Sequence, residues 1–532
     1  MEISYSDKKV LIVDNRLEDL AELKIILGSM GVAEIQVASS VNMALVLLRE
    51  KHYDICFVLF DLGKDHKNGL QLIQEASAEG IRQFSTVFSL IVDPERSKLL
   101  FGSLDSSPDT YISKPYSEPK VRFRLEKIMR VKQVMQPLDE LLDQGELQQA
   151  LLMCDKLTQS YPALKLYIHR MRGIILLEEG YYSKAEKLFE SIVAQRVQPW
   201  ARVGQGMALC HLGDYLNARQ ILQQVIDESY FCVEAYTWLA RTYRALGERG
   251  EAISLLRKAV MLQPTVPELL GALGSLAAQN QEWNIAVDAY SNAIRHARQS
   301  CFQSDDYYFS LVSALLARSS FDRDVEEYAI RTLEDAVLAF PGEPIVQFKS
   351  RLMVAQVYRR AGAQGRANLA ARNAFDLFCE LELTEQAEWV EPFLEGMEGT
   401  SVEAEAQAMK QHVNRDSAAL EWGKLNIQGM LSYRKKDYQK ALSFFVQADS
   451  ILPNNPSLTL NLVQAALEQA RHPGNQRDEL LLQCDNALYS INYGALGLRQ
   501  QKRYLSLSDR CADMVRSMAE LKREIQEGAD VS

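Results

Sequence analysis

Between residues 173 and 290 the chain repeats itself every 33 or 34 positions, and no other feature restricts its fold so strongly. Gly173, Gly206, Ala240 and Gly274 form one series, Ala185, Ala218, Ala252 and Ala286 a second, and the bulky Phe189, Leu222, Leu256 and Tyr290 a third. Two small positions let paired helices approach closely while the large one plugs the groove between successive pairs, so the three series together specify stacked helical hairpins. Gly180, Gly213 and Gly247 fall in the turns, and Pro199 and Pro264 end units, as proline does after a helix. At 532 residues the chain is too long for one core, which agrees with a repeat array or several folded units.

These units resemble the tetratricopeptide repeat (TPR), with period and residue class agreeing in four consecutive copies. The segment Leu138 to Pro162, with Gly145 and Ala150, resembles the second helix of an incomplete preceding repeat. Beyond Arg298 the pattern loosens into divergent hairpins over Tyr308 to Arg318, Val325 to Ala339, Phe348 to Arg360 and Arg366 to Leu381. It returns at Gly429, Tyr438, Ala441, Phe445, Ala448 and Pro453, and a helical cap is expected from about Asn461 onward. Between the blocks, Glu380 to Glu405 holds nine glutamates and no Lys or Arg. We read it as a solvated helical connector, with a docking site for a basic partner as the alternative.

Ahead of the array, strands and helices alternate. Lys8 to Asp14 is an apolar run rich in branched residues, followed by the helical spacing of Leu17, Leu20, Leu23, Ile26 and Leu27. The cycle continues with strands at Ala33 to Ala38, Ile55 to Phe60, Ser85 to Val92 and Thr110 to Ser113, and helices at Val41 to Glu50, Gly69 to Ala78, near Arg96 to Ser103, and from Glu118. Apolar strands separated by amphipathic helices imply an α/β doubly wound, five-stranded parallel sheet with its crevice at the carboxyl ends of the strands. The expected organisation is this domain over 1–130, the regular array over 131–299, divergent hairpins and the acidic connector over 300–421, and a last TPR unit with capping helices over 422–532.

Val13-Asp14, Asn68-Gly69-Leu70 and Tyr111-Ile112-Ser113-Lys114-Pro115 make the first domain similar to the receiver domain of bacterial two-component response regulators. The resemblance implies acidic Mg²⁺ ligands after the first strand, a phosphoryl-accepting Asp after the third, a hydroxyl after the fourth, and an aromatic and a Lys on the fifth. Such an acceptor works only if a cation and an ammonium neutralise the charge gathering in transfer. Asp14 fits the metal site, but Asn15 replaces its acidic neighbour and is a weaker ligand for a hard cation. Counting from Tyr53-Asp54 puts Leu59 at the acceptor position, whereas counting back from Gly69 puts Asp61 there; we favour Leu59, with Asp61 as runner-up. Val92 stands where the hydroxyl belongs and cannot donate to a phosphoryl oxygen, while Tyr111 and Lys114 are retained. The expectation is a pseudo-receiver that keeps the fold and loses the phosphorylation machinery, leaving Asp14 and Lys114 as a residual ion pair or pocket residues. No cofactor is then needed; Mg²⁺ enters only if the receiver is active.

Array ligands are usually peptides or helices of other proteins, held on the face made by the first helix of each hairpin. Repeat offsets place Tyr167, Arg170, Trp200, Val203, Glu234, Thr237, Arg241 and Arg244 there, with Trp200 and the arginines as candidate anchors. The net charge of -11 gives no field attracting nucleic acid or anionic lipid. With no signal-peptide pattern and no membrane-length apolar run, the expected location is the cytoplasm. The eight cysteines lack metal-ligand spacing and read as small buried residues. His169, His211 and His296 read as packed or surface residues, and no catalytic motif appears. The function these features favour is a non-enzymatic signalling adaptor that binds a protein through its array. The alternatives are a response regulator phosphorylated by a histidine kinase at Asp61 with Mg²⁺, and an array acting as inhibitor or phosphatase of another response regulator. The receiver resemblance also implies a face, at the fourth and fifth strand-helix units, on which two copies pair into a homodimer.

Overall fold

The five apolar runs near the amino end form β1 (Lys9–Val13), β2 (Glu34–Ala38), β3 (Ile55–Leu59), β4 (Val87–Val92) and β5 (Thr110–Ser113). They pair in parallel in the order β2-β1-β3-β4-β5. β3 and β4 lie inside the sheet and are buried along their whole length, which is why their sequences are unbroken apolar runs. β2, at one edge, carries the exposed Glu34 and partly exposed Ile35, Gln36 and Val37. The connecting helices are α1 (Leu17–Ser29), α2 (Val41–Glu50) and α3 (Gly69–Ala78). α3 starts at a capping box in which Asn68 Oδ1 accepts from the Gln71 amide and Gln71 Oε1 accepts from that of Asn68. In this computed structural model the described residues are 4–63, 67–93, 104, 108–228, 232–298, 300–472 and 476–530; the helix expected near Arg96 to Ser103 lies outside them.

The domain boundary expected at 130/131 falls inside a helix. α4 (Glu118–Asp143) runs unbroken for 26 residues. Its first half buries Val121, Leu125, Ile128 and Met129 in the core of the sheet domain. Its second half buries Met135, Leu138 and Leu142 with Ala150, Cys154 and Leu157 of α5 (Leu147–Ser160) in the first array core. α4 therefore supplies the first helix of the hairpin whose second helix was legible in the sequence, and the turn at Gly145 has φ +74°, a conformation that suits glycine.

Chain contacts divide the molecule into two units, the first comprising Met1–Leu239, Lys258–Val266 and Gln299–Cys301, the second Ala240–Arg257, Pro267–Arg298 and Phe302–Ser532. In the first, α6 (Lys165–Glu178) and α7 (Tyr182–Gln195) are followed by α8 (Pro199–His211) and α9 (Tyr215–Glu228). The repeat series has a steric cause. A Cβ on Gly173 would lie 2.4 Å from Phe189 Cζ, one on Gly204 2.5 Å from the same atom, and one on Gly206 2.6 Å from Leu222. Phe189 is thus wedged between α6 and α8, and glycine is required for close approach here.

α10 (Val233–Ala245) and α11 (Arg249–Leu262) each contribute to both units. In the second unit α12 (Pro267–Gln279) and α13 (Trp283–Ala297) follow the same rule, with the Gly274 position 2.8 Å from Tyr290. α14 (Asp305–Ala317), α15 (Arg323–Ala339), α16 (Pro344–Arg360) and α17 (Gln364–Glu380) are the divergent hairpins. They keep the four-residue pairs Ala329/Leu333 and Ala367/Ala371, buried and 38 positions apart, because the last three of these helices have lengthened to 17 residues. That longer period is why the register fades from the sequence.

The acidic stretch is not a solvated connector. It forms α18 (Leu383–Met397) and the start of α19 (Glu403–Ala419), and α18 buries Trp389, Val390, Phe393, Leu394 and Met397. Its charges are answered within the chain: Glu391 by Lys410 at 2.7 Å, Glu398 by Arg499 at 2.9 Å and Glu405 by Arg372 at 2.6 Å. The last elements are α20 (Glu421–Arg434), α21 (Tyr438–Ile451), α22 (Pro456–Ala470), α23 (Arg477–Ser490) and α24 (Leu498–Asp530). A Cβ on Gly429 would meet Phe445 at 2.6 Å, so the returning motif builds the same wedge. Six cysteines are buried as expected, but Cys301 and Cys379 are exposed.

Candidate functional site

At the carboxyl end of the sheet, β1 and β3 pair up to Val13 and Val58, so the next residues outward are Asp14 and Leu59. Leu59 ends β3 and is 4 % exposed; Val92 ends β4 and is 2 % exposed. Asp61 lies two residues beyond the strand, in a turn where its Oδ1 accepts from the Gly63 amide at 3.0 Å. The loop is closed by the Gly69 amide donating to Phe60 O at 2.9 Å, and a Cβ on Gly69 would lie 2.6 Å from Leu59 O. The Asn68-Gly69 motif is thereby explained by backbone approach.

Asp14 is 1 % exposed and its Oδ1 accepts from the Arg16 amide at 2.9 Å. Burial raises its pKa above the usual carboxylate range, against the opposing effects of that hydrogen bond and of Lys114. Asn15 spends its amide group on Leu62 O at 2.7 Å. Lys114 forms its ion pair with Asp19 on α1, not with Asp14. One buried carboxylate with a raised pKa, an amide already engaged and a leucine do not make a donor set for a hard divalent cation, which takes charged oxygens. Among the described residues no group of three or more His, Cys, Asp or Glu is placed to share a metal ion.

Tyr111, on β5, is partly buried. Burial pushes the Tyr111 hydroxyl up to about 12, and the charge felt there in opposition is that of Arg170 on α6. Arg170 Nη2 donates to Leu104 O at 2.9 Å, and its guanidinium lies 5.6 Å from the Trp200 ring centre. Trp200 meets Phe189 edge-on at 6.3 Å. Glu234, at the start of α10, accepts from the Leu104 amide at 2.7 Å through Oε2, and the Thr237 hydroxyl donates to Glu234 O at 2.9 Å. Val203 is fully buried and lines no open surface. Tyr167 packs into the core shared by α4 and α5, and burial pushes its hydroxyl up to about 12.

Beside Tyr167 lies a charged cluster with no counterpart in the sequence reading. Lys132 of α4 is 9 % exposed and sits 3.1 Å from Asp109 and 3.6 Å from Asp139. Burial alone would lower the Lys132 pKa, but Asp109, Tyr167 and Asp139 raise it. One ammonium serves two carboxylates, and burial pushes the Asp139 pKa up to about 7. The only signal available in sequence was two charges, seven residues apart, on the apolar stripe of one helix.

In the second unit, Arg241 and Arg244 face α23. Arg244 Nη2 reaches both oxygens of Asp485 at 3.0 and 3.1 Å, Arg241 Nη2 donates to Asn486 Oδ1 at 3.1 Å, and each guanidinium lies 4.7 Å from the Tyr489 ring centre. Of the candidate anchors, the structure brings together Arg170 and Trp200 in one unit and Arg241 and Arg244 in the other.

Models of the tetratricopeptide repeat match residues 200–229 and 233–276. The chain carries TPR units. They are modules of protein–protein interaction. The alginate biosynthesis transcriptional regulatory protein AlgB of Pseudomonas aeruginosa is 25% identical over 258 residues, 47% of this chain and 52% of AlgB, so the chain spans about half the length of the curated relative it matches. Among solved structures, the C-terminal part of a TPR repeat-containing protein from Cytophaga hutchinsonii is 13% identical, with 55% of this chain and 98% of that one covered and a TM-score of 0.34. MamA from Desulfovibrio magneticus RS-1 is 20% identical, with 31% and 94% covered and a TM-score of 0.28. YrrB, described as a TPR protein with an unusual peptide-binding site, is 13% identical, with 36% and 91% covered and a TM-score of 0.30. No helix among the described residues is long and apolar enough to cross a membrane.

Proposed function

We propose that the protein is a two-component-type signalling adaptor, in which a receiver domain that is not phosphorylated is joined to a TPR array that binds a protein partner. The observation that carries this reading is the pair of apolar side chains at the strand ends. Leu59 ends β3 and Val92 ends β4, and the receiver resemblance would put a phosphoryl acceptor and a hydroxyl relay at those two positions. Neither side chain can accept or hydrogen-bond a phosphoryl group. The engagement of Lys114 by Asp19 supports the same reading, since it uses the ammonium that would otherwise neutralise a transferred phosphoryl group. The similarity to AlgB, a regulatory protein, is in keeping with a place in signal transduction.

The test is incubation of the full-length protein with acetyl phosphate and Mg²⁺, read by intact mass. No adduct is expected. A gain of about 80 Da per phosphoryl group, lost in Asp61→Asn, would overturn the reading and make the protein a phosphorylatable regulator.

A further inference from the structure

The array face expected to hold a partner already holds a residue of this chain, and that residue comes from the receiver domain. Leu104 lies between β4 and β5 in sequence and is 1 % exposed, although it belongs to neither of the cores that flank it. Its main chain is read on both sides: the amide donates to Glu234 of α10 at 2.7 Å and the carbonyl accepts from Arg170 of α6 at 2.9 Å. A carboxylate on an N–H and a guanidinium on a C=O are charge-assisted hydrogen bonds. Together with a buried leucine side chain, they amount to recognition of backbone plus one apolar anchor, the chemistry by which grooves take linear segments. Arg170 is held for this task by stacking on Trp200, itself fixed edge-on against the wedged Phe189.

We propose that the face made by α6, α8 and the start of α10 is a receptor for a leucine-bearing linear segment, and that Leu104 is its resident competitor. A protein partner gains the face by presenting the same chemistry and displacing Leu104. The inference rests on the adaptor reading only for the identity of that partner. Two further contacts, both within the first unit, keep the competitor near while leaving it releasable. The Lys132 cluster ties α4 to Asp109 at the entry to β5, and Thr265 Oγ1 donates to Gln71 Oε1 of α3 at 2.8 Å. Neither involves Leu104, so its departure leaves the receiver in place, and a tethered competitor acts at high effective concentration.

The probe is a fluorescein-labelled synthetic peptide of residues 98–110, titrated by anisotropy into the full-length protein and into its Leu104→Asp variant. Leu104→Asp should bind at least about tenfold more tightly than wild type, since a face that is occupied nine-tenths of the time weakens a competing ligand by that factor. Leu104→Ala, which only shortens the anchor, should fall between the two and serves if the charged variant folds poorly. Adding Arg170→Ala to Leu104→Asp, or replacing by aspartate the peptide leucine that corresponds to Leu104, should abolish the gain. Equal binding to wild type and Leu104→Asp, or binding indifferent to Arg170 and to the peptide leucine, would overturn the inference. A phosphoryl adduct on Asp61 would overturn the adaptor reading and leave this result untouched, so the two fail separately.

Discussion

Phe189 shows how much of the array rests on absent atoms. Its ring is fully buried and touches the positions where Gly173 and Gly204 lack a Cβ. It cannot retreat from one helix without meeting the other. Gly173→Ala should therefore cost about 1–3 kcal/mol of stability, the range for overpacking a filled site, whereas Gly28→Ala, in the last turn of α1 with nothing within 4 Å of its new methyl, should be neutral or stabilising by less than the roughly 1 kcal/mol of a helix interior. Urea denaturation of the two variants checks this, and equal losses would mean the glycines serve no close approach. These residues were legible in the sequence because steric demand at a fixed period leaves a mark in residue size. Leu104 was not, since Gly102, Ser103, Asp105, Ser106 and Ser107 around it carry no periodicity to betray its burial.

Among the elements, α4 carries the most chemistry. Its Asp139 has a pKa of about 7, pushed up by burial, against an ordinary aspartate value of 3.8. The folded protein therefore holds more protons than the unfolded chain between roughly pH 4 and 7. The stability Asp139 contributes is present below that window and lost as pH rises through it, with no further change above. Asp139→Asn removes the dependence. Wild type should lose about 2–3 °C more than Asp139→Asn between pH 5 and pH 8, as measured by calorimetry, because roughly two pH units at about 1.4 kcal/mol each act against an unfolding entropy of about 1 kcal/mol/K at this chain length. Parallel curves would show that Lys132 already compensates the carboxylate in full. The acidic α18 teaches a related lesson about reading charge. Nine glutamates between 380 and 405 suggested solvent, yet the four inside α18 alternate with Trp389, Val390, Phe393 and Met397, so composition over a window hid a buried stripe that helical spacing would have revealed.

At the scale of the whole chain, contacts far apart in sequence were beyond reach, because repeat offsets say which side a residue occupies and not what will cover it. Arg244 and Asp485 are 241 residues apart, and Asp485 is 4 % exposed. Arg244→Ala would leave a buried carboxylate uncompensated, at a cost of about 3–5 kcal/mol, and the C-terminal helices of the second unit should loosen. Wild type should label rapidly at Cys301 and Cys379, and the variant also at Cys484 and Cys511, which are buried. Alkylation followed by peptide mass analysis reads this directly, and unchanged protection of Cys484 would refute it. The sheet domain and the array, read as separate domains in the sequence, share one uninterrupted α4. A cut at residue 138 takes Met135 away from the first array core, and a cut ahead of Val121 takes Val121, Leu125, Ile128 and Met129 from the core of the sheet domain, so either portion has to be grafted onto a foreign protein with its own half of the helix. Any recombination that joins either portion to a foreign neighbour has to supply a continuation for that severed helix.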